Sequence, residues 1–130
     1  MSAGTRVEIR NVVVTYPGGD RRAVDDVSLT AEPGELVVFL GPSGCGKSTL
    51  LRTINRLVVP DAGTIAIDGE DVARSSAETL RRGIGYVIQA VGLFPHMSVG
   101  RNVAVVPDLL GWDRARIDAR VDELLALVQL

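Results

Sequence analysis

The stretch LVVFLGPSGCGKS, Leu36 to Ser48, restricts the fold more than any other part of the chain. Leu36–Leu40 is a continuous apolar run of the kind that forms a strand buried on both faces of a parallel sheet. It passes directly into a glycine-rich segment, after which Leu50, Leu51, Ile54 and Leu57 recur at helical spacing. Gly41-Pro42-Ser43-Gly44-Cys45-Gly46-Lys47-Ser48 fits the pattern G-x-x-x-x-G-K-[ST] in the strand-to-helix context that separates a phosphate-binding loop from a chance match. Glycines at 41, 44 and 46 let the backbone wrap around an anion, so that loop N–H groups and the helix N-terminus converge on it.

Lys47 is the only lysine in the chain. An ammonium on a flexible stem is a compact charge able to curl over such a loop toward the β- and γ-phosphates, which a planar guanidinium does less well. The motif assigns the adjacent Ser48 hydroxyl to Mg²⁺. The alternative, an arginine-biased composition around an ordinary glycine turn, leaves the strand-loop-helix order unexplained. Cys45 fills an unspecified motif position and reads as a small filler.

The rest of the chain alternates strands and helices. VEIRNVVVTY and AVDDVSLTA read as an N-terminal hairpin around the polar turn PGGDRR. TIAID leads into a hairpin turn at Asp68-Gly69, SSAETLRR is a short helix capped by Ser75 or Ser76, and IGYVIQ is a second buried strand. Ser98 caps a helix over about Val99 to Leu110. Asp113 caps another, whose apolar stripe is Ile117, Val121, Leu124, Leu125 and Val128, with Trp112 placed to pack on Ile117. The fold class is α/β: an antiparallel N-terminal unit and a parallel core sheet with flanking helices, in a chain of one-domain size, 130 residues.

A formal net charge of -2 argues against nucleic acid as a partner. A single cysteine excludes an internal disulfide and points to a reducing compartment, the cytoplasm. No apolar run approaches the ~20 residues needed to cross a bilayer, so the expectation is no direct membrane insertion and membrane association only through a partner.

Beyond the phosphate loop, Tyr16 in VTYPGG, the strand AVDDVSL, GTIAIDG and IGYVIQ occur in the order found in the ATP-binding subunits of ABC transporters, and the chain resembles that family. The resemblance implies a P-loop NTPase that binds ATP and Mg²⁺. It implies nucleotide-binding roles for Gly41, Pro42, Ser43, Gly44, Cys45, Gly46, Lys47, Ser48 and Thr49, adenine stacking on Tyr16, and Gln89 as a Q-loop glutamine reaching Mg²⁺ along with Ser48. YVIQAVGLFPHMSV and NVAVVPDLLGW look most like importers of glycine betaine, choline, carnitine and similar quaternary amines. The same family implies transmembrane permease subunits as partners, facing the segment around Phe94, Pro95, His96 and Met97. It also implies a homodimer of ATP-binding subunits and a peripheral position on the cytoplasmic face of the membrane.

The family's LSGGQ signature, its Walker B carboxylates and its switch histidine have no counterpart here, so no catalytic residue is assigned. The chain therefore reads as the N-terminal portion of the domain, with exposed apolar edges that favour association. Two rival readings remain at this level: a non-catalytic nucleotide-binding fragment, and a self-contained P-loop kinase-like protein using Asp68 as its Mg²⁺ carboxylate.

Overall fold

A computed structural model describes residues 4–90 and 92–130, which divide into two compact units, one running to Tyr86 and one from Val87 onward. In the first, strands β1 (Val7–Thr15), β2 (Arg22–Ala31), β3 (Ala62–Ile67) and β4 (Glu70–Asp71) form an antiparallel sheet of order β2-β1-β3-β4. Helix α1 (Lys47–Ile54) lies between β2 and β3 in sequence, and a short turn of 3-10 helix (Val72–Arg74) and helix α2 (Ala77–Arg82) follow β4.

The expected hairpin is present, and its core face is set by an irregularity. Asn11 adopts φ 51°, its N–H donates to Ser28 Oγ at 2.8 Å, and its amide donates to Asp26 Oδ1 at 2.9 Å. The extra residue shifts the phase of β1, so Ile9, Val12 and Val14 share the buried side instead of strictly alternating positions. With Val24, Leu50, Ile65 and Val72 they form the core of this unit, against which Phe39, Ile54 and Val58 also pack. Burial of each such side chain stabilises the fold by roughly 1.5–3 kcal/mol.

The turn expected at Asp68-Gly69 joins β3 to β4, with φ of 50° and 83° at its two residues. Asp68 also closes the sheet's end: its N–H donates to the Arg6 carbonyl at 2.9 Å, and its carboxylate accepts the Arg6 N–H at 2.8 Å. α2 starts at Ser76, whose hydroxyl accepts the Thr79 N–H at 3.1 Å, and carries a Glu78–Arg82 ion pair.

The second unit holds α3 (Val99–Leu109) and α4 (Arg114–Leu127), which pack on each other. Ser98 and Asp113 cap them by accepting the N–H groups of Arg101 and Arg116 at 3.2 and 2.9 Å. Ile117 is buried, while Val121, Leu124 and Leu125 are half-buried. The Trp112 ring carries the Arg116 guanidinium 3.6 Å above its centre, a cation–π contact that locks the start of α4.

The parallel half of the expected sheet is corrected. Leu36–Leu40 and Ile84–Gln89 belong to no strand, and every strand pair among the described residues is antiparallel. A strand exists only through a ladder, and no neighbouring segment offers one here. Without flanking strands and a covering layer the side chains stay in water: Leu36 is 87% exposed, Leu40 89% and Val87 97%. Phe39 alone in the first segment turns onto the core.

Candidate nucleotide-binding site

The site is built on the N-terminus of α1. Gly46, the residue before the helix, has φ 99°, and a Cβ there would lie 2.0 Å from the Ala23 carbonyl oxygen on β2. Only glycine permits this left-handed entry at such close range. The helix then begins at once, with the Leu50 N–H donating to the Gly46 carbonyl at 2.9 Å, and Leu50 anchors it in the core.

The far end of α1 is bolted by two arginines. Arg81 donates to the carbonyls of Asn55 and Arg56 at 2.9 and 2.6 Å, and Arg56 reaches the Ser75 carbonyl at 2.5 Å. The Arg81 cation at these last carbonyls complements the helix dipole.

Lys47 arches back over the loop. Its ammonium donates to the carbonyls of Gly41 and Pro42, both at 2.8 Å, and lies 3.4 Å from Cys45 Sγ. Gly41, Pro42, Ser43, Gly44 and Cys45 are exposed, as is Ser48, while Thr49 is buried. Within the loop the Cys45 N–H is turned inward onto the Pro42 carbonyl at 3.4 Å.

The residues present suit a polyphosphate with a divalent cation. The loop offers an ammonium, backbone amides and a hydroxyl, with no carboxylate to repel the anion. Among the described residues no cluster of three or more His, Cys, Asp or Glu side chains forms a metal site of its own. A magnesium ion here would draw its ligands from Ser48 and from the phosphates themselves, the usual arrangement for this ion.

Tyr16 directly follows β1 and is 45% exposed, so it is not a core tyrosine. Its hydroxyl is 3.1 Å from Thr49 Oγ1, which brings together two of the residues singled out from the sequence, one beside the sheet and one in α1. A cleft of about 340 Å³ adjoins the loop, lined in part by Arg22, Ala23, Phe39, Gly46 and Lys47. Its rim residue Arg22 bonds Asp25 at 2.5 Å, which raises the guanidinium pKa above its ordinary value. Ala23 and Phe39 were not singled out from sequence; the close approach of Gly46 to β2 is what brings Ala23 to the site.

Gln89 lies in the second unit, exposed, at a bend and not at a strand end. In the same unit Phe94, Pro95 and His96 are exposed, with the Phe94 and His96 rings edge to face at 6.1 Å. Asn102, on the first turn of α3, closes this loop. Its side-chain oxygen accepts the Phe94 N–H at 2.7 Å, and its amide donates to the carbonyls of Phe94, Met97 and Ser98 at 3.1, 3.2 and 3.0 Å. Sequence patterning had given Asn102 no role.

A helix N-terminus reached through a glycine loop and roofed by a lysine defines a P-loop NTPase. The backbone agrees: a solved dimeric ATP-binding cassette, in a post-hydrolysis state bound to ADP and phosphate, matches at a TM-score of 0.80 and 30% identity over 95% of this chain and 57% of that one. The sequence profile of the ABC transporter family matches residues 24–130, and the chain belongs to that family. The osmoprotectant import ATP-binding protein OsmV of Salmonella typhimurium is 53% identical over 90% of this chain and 31% of its own length. The choline transport ATP-binding protein OpuBA of Bacillus subtilis is 49% identical over 94% of this chain and 32% of its own. The chain thus spans about a third of the length of these curated relatives. Among the described residues no helix is long and apolar enough to cross a membrane.

Proposed function

We propose that the chain binds ATP·Mg²⁺ and forms the front part of the ATP-binding subunit of an importer for quaternary-amine osmoprotectants such as glycine betaine, choline or carnitine. In this reading Gly41–Thr49 cradles the phosphates, Lys47 neutralises the terminal ones, Ser48 reaches the metal, and Tyr16 stacks on the base, while Gln89 keeps the Q-loop role that the family resemblance implies. The partners are transmembrane permease subunits and a second ATP-binding subunit, with the protein held peripherally on the cytoplasmic face of the membrane. Bound ATP supplies the free energy of its hydrolysis to transport; the chain's own residues orient the triphosphate and offset its charge.

One observation carries the proposal: the chain's single lysine is curled over Gly41 and Pro42, at the mouth of a helix N-terminus that Gly46 alone can enter. The solute class is supported by the osmoprotectant and choline import relatives. Calorimetric titration with ATP, with and without Mg²⁺, tests the binding step. Absence of magnesium-dependent affinity in a folded sample would end the proposal.

The rival use of Asp68 as a magnesium-organising carboxylate is disfavoured by its geometry. That carboxylate accepts the Arg6 N–H at 2.8 Å within a β-turn, a structural role that already accounts for it.

A further inference from the structure

Tyr16 is fixed at three points. Its carbonyl accepts the Gly19 N–H at 3.0 Å, closing the turn after β1. Its neighbour Thr15 donates its N–H to the Asp61 carboxylate at 2.7 Å, and the Asp61 N–H returns to the Val13 carbonyl at 2.8 Å. The third point is the side chain itself, with the phenol oxygen 3.1 Å from Thr49 Oγ1.

Thr49 is 9% exposed and sits in the first turn of α1, after Lys47 and Ser48. A hydroxyl buried to that degree needs a hydrogen-bond partner, and among the described residues the phenol is the one it has. A half-exposed ring left free would exchange rotamers; one tied at its far end is held in a single orientation before any ligand arrives. The bond also crosses between the strand-side ring and the helix that forms the anion cup.

We infer that the Tyr16–Thr49 hydroxyl pair is a latch that fixes the base-side ring to the phosphate-side helix, so that the phenol oxygen, and not only the ring face, raises affinity for ATP. Thr49 acts here as a positioning residue, through Tyr16. The inference rests on the nucleotide-binding reading above.

The test is calorimetry on the full chain with Mg·ATP and with Mg·tripolyphosphate, a probe that has the phosphates and no base. Tyr16→Phe keeps the ring and removes the oxygen. It is expected to weaken ATP binding about fivefold, the worth of one net hydrogen bond, and to leave tripolyphosphate affinity unchanged. Thr49→Ser, which keeps the hydroxyl, retains more ATP affinity than Thr49→Val, and Tyr16→Phe combined with Thr49→Val binds no more weakly than Thr49→Val alone.

Unchanged ATP affinity in Tyr16→Phe, additive losses in the double variant, or an equal loss of tripolyphosphate affinity in Tyr16→Phe each overturn the latch. Failure of the parent chain to bind ATP overturns instead the nucleotide reading on which the latch depends.

Discussion

Gly46 and Ala23 approach so closely that a methyl group on residue 46 would sit 2.0 Å from the Ala23 carbonyl oxygen. The contact ties the phosphate loop to β2, and it has no slack. Gly46→Ala forces a left-handed conformation on a residue with a Cβ and pushes the loop off the strand. We expect a loss of at least about 2 kcal/mol in urea unfolding, together with loss of ATP binding. A variant as stable as the parent would show that the loop is not clamped to β2.

Lys47 bonds two loop carbonyls and is not part of the core, so in the proposed reading its loss affects the ligand more than the fold. Lys47→Ala should weaken Mg·ATP binding by about 10- to 100-fold, the range for a charge-assisted hydrogen bond. Its unfolding midpoint should stay close to that of the parent. Lys47→Arg should recover only part of the affinity, because a planar fork does not match the two carbonyls and the phosphates together. Titration calorimetry beside a urea melt separates the two effects.

Cys45 is exposed and its sulfur lies 3.4 Å from the Lys47 ammonium. An adduct there occupies the space over the loop. Alkylation with N-ethylmaleimide should abolish nucleotide binding, and saturating Mg·ATP should slow the labelling measured by mass spectrometry. Equal labelling rates with and without nucleotide would remove Cys45 from the anion cup.

Asp68→Asn preserves the oxygen that accepts the Arg6 N–H, so both the fold and Mg·ATP affinity should stay within about twofold of the parent, well inside a net hydrogen bond's worth. A collapse of magnesium-dependent binding in that variant would revive the kinase-like alternative.

Leu36, Val38 and Leu40 are exposed along a backbone that has no ladder. Exposed apolar segments whose backbone is not paired in a ladder tend to associate with other chains. The 130-residue chain is expected to self-associate with rising concentration in sedimentation experiments, and Leu36→Lys with Leu40→Lys should reduce that association. A monomer at all concentrations would count against the idea.

Much of this was legible in the sequence where the signal is local. The caps at Ser76, Ser98 and Asp113, the turn at Asp68-Gly69 and the glycine loop before α1 depend on a few adjacent residues, and each appears where the pattern puts it. Leu36–Leu40 and Ile84–Gln89 did not become strands, because an apolar run specifies only a willingness to pair, while pairing needs a neighbour. The Tyr16–Thr49 bond and the Asn102 clamp were invisible for another reason. Each joins residues through side-chain geometry that follows only after the helix and the turn are in place.

Asn102 makes four polar contacts with three residues of a tight turn that begins at an exposed phenylalanine. Bending that turn alone would break several of them at once, so the cheaper response to a push on the ring is to shift α3 with it. The Phe94 turn and the first turn of α3 are therefore tied together through a single side chain, and losing Asn102 would cut all four ties at once.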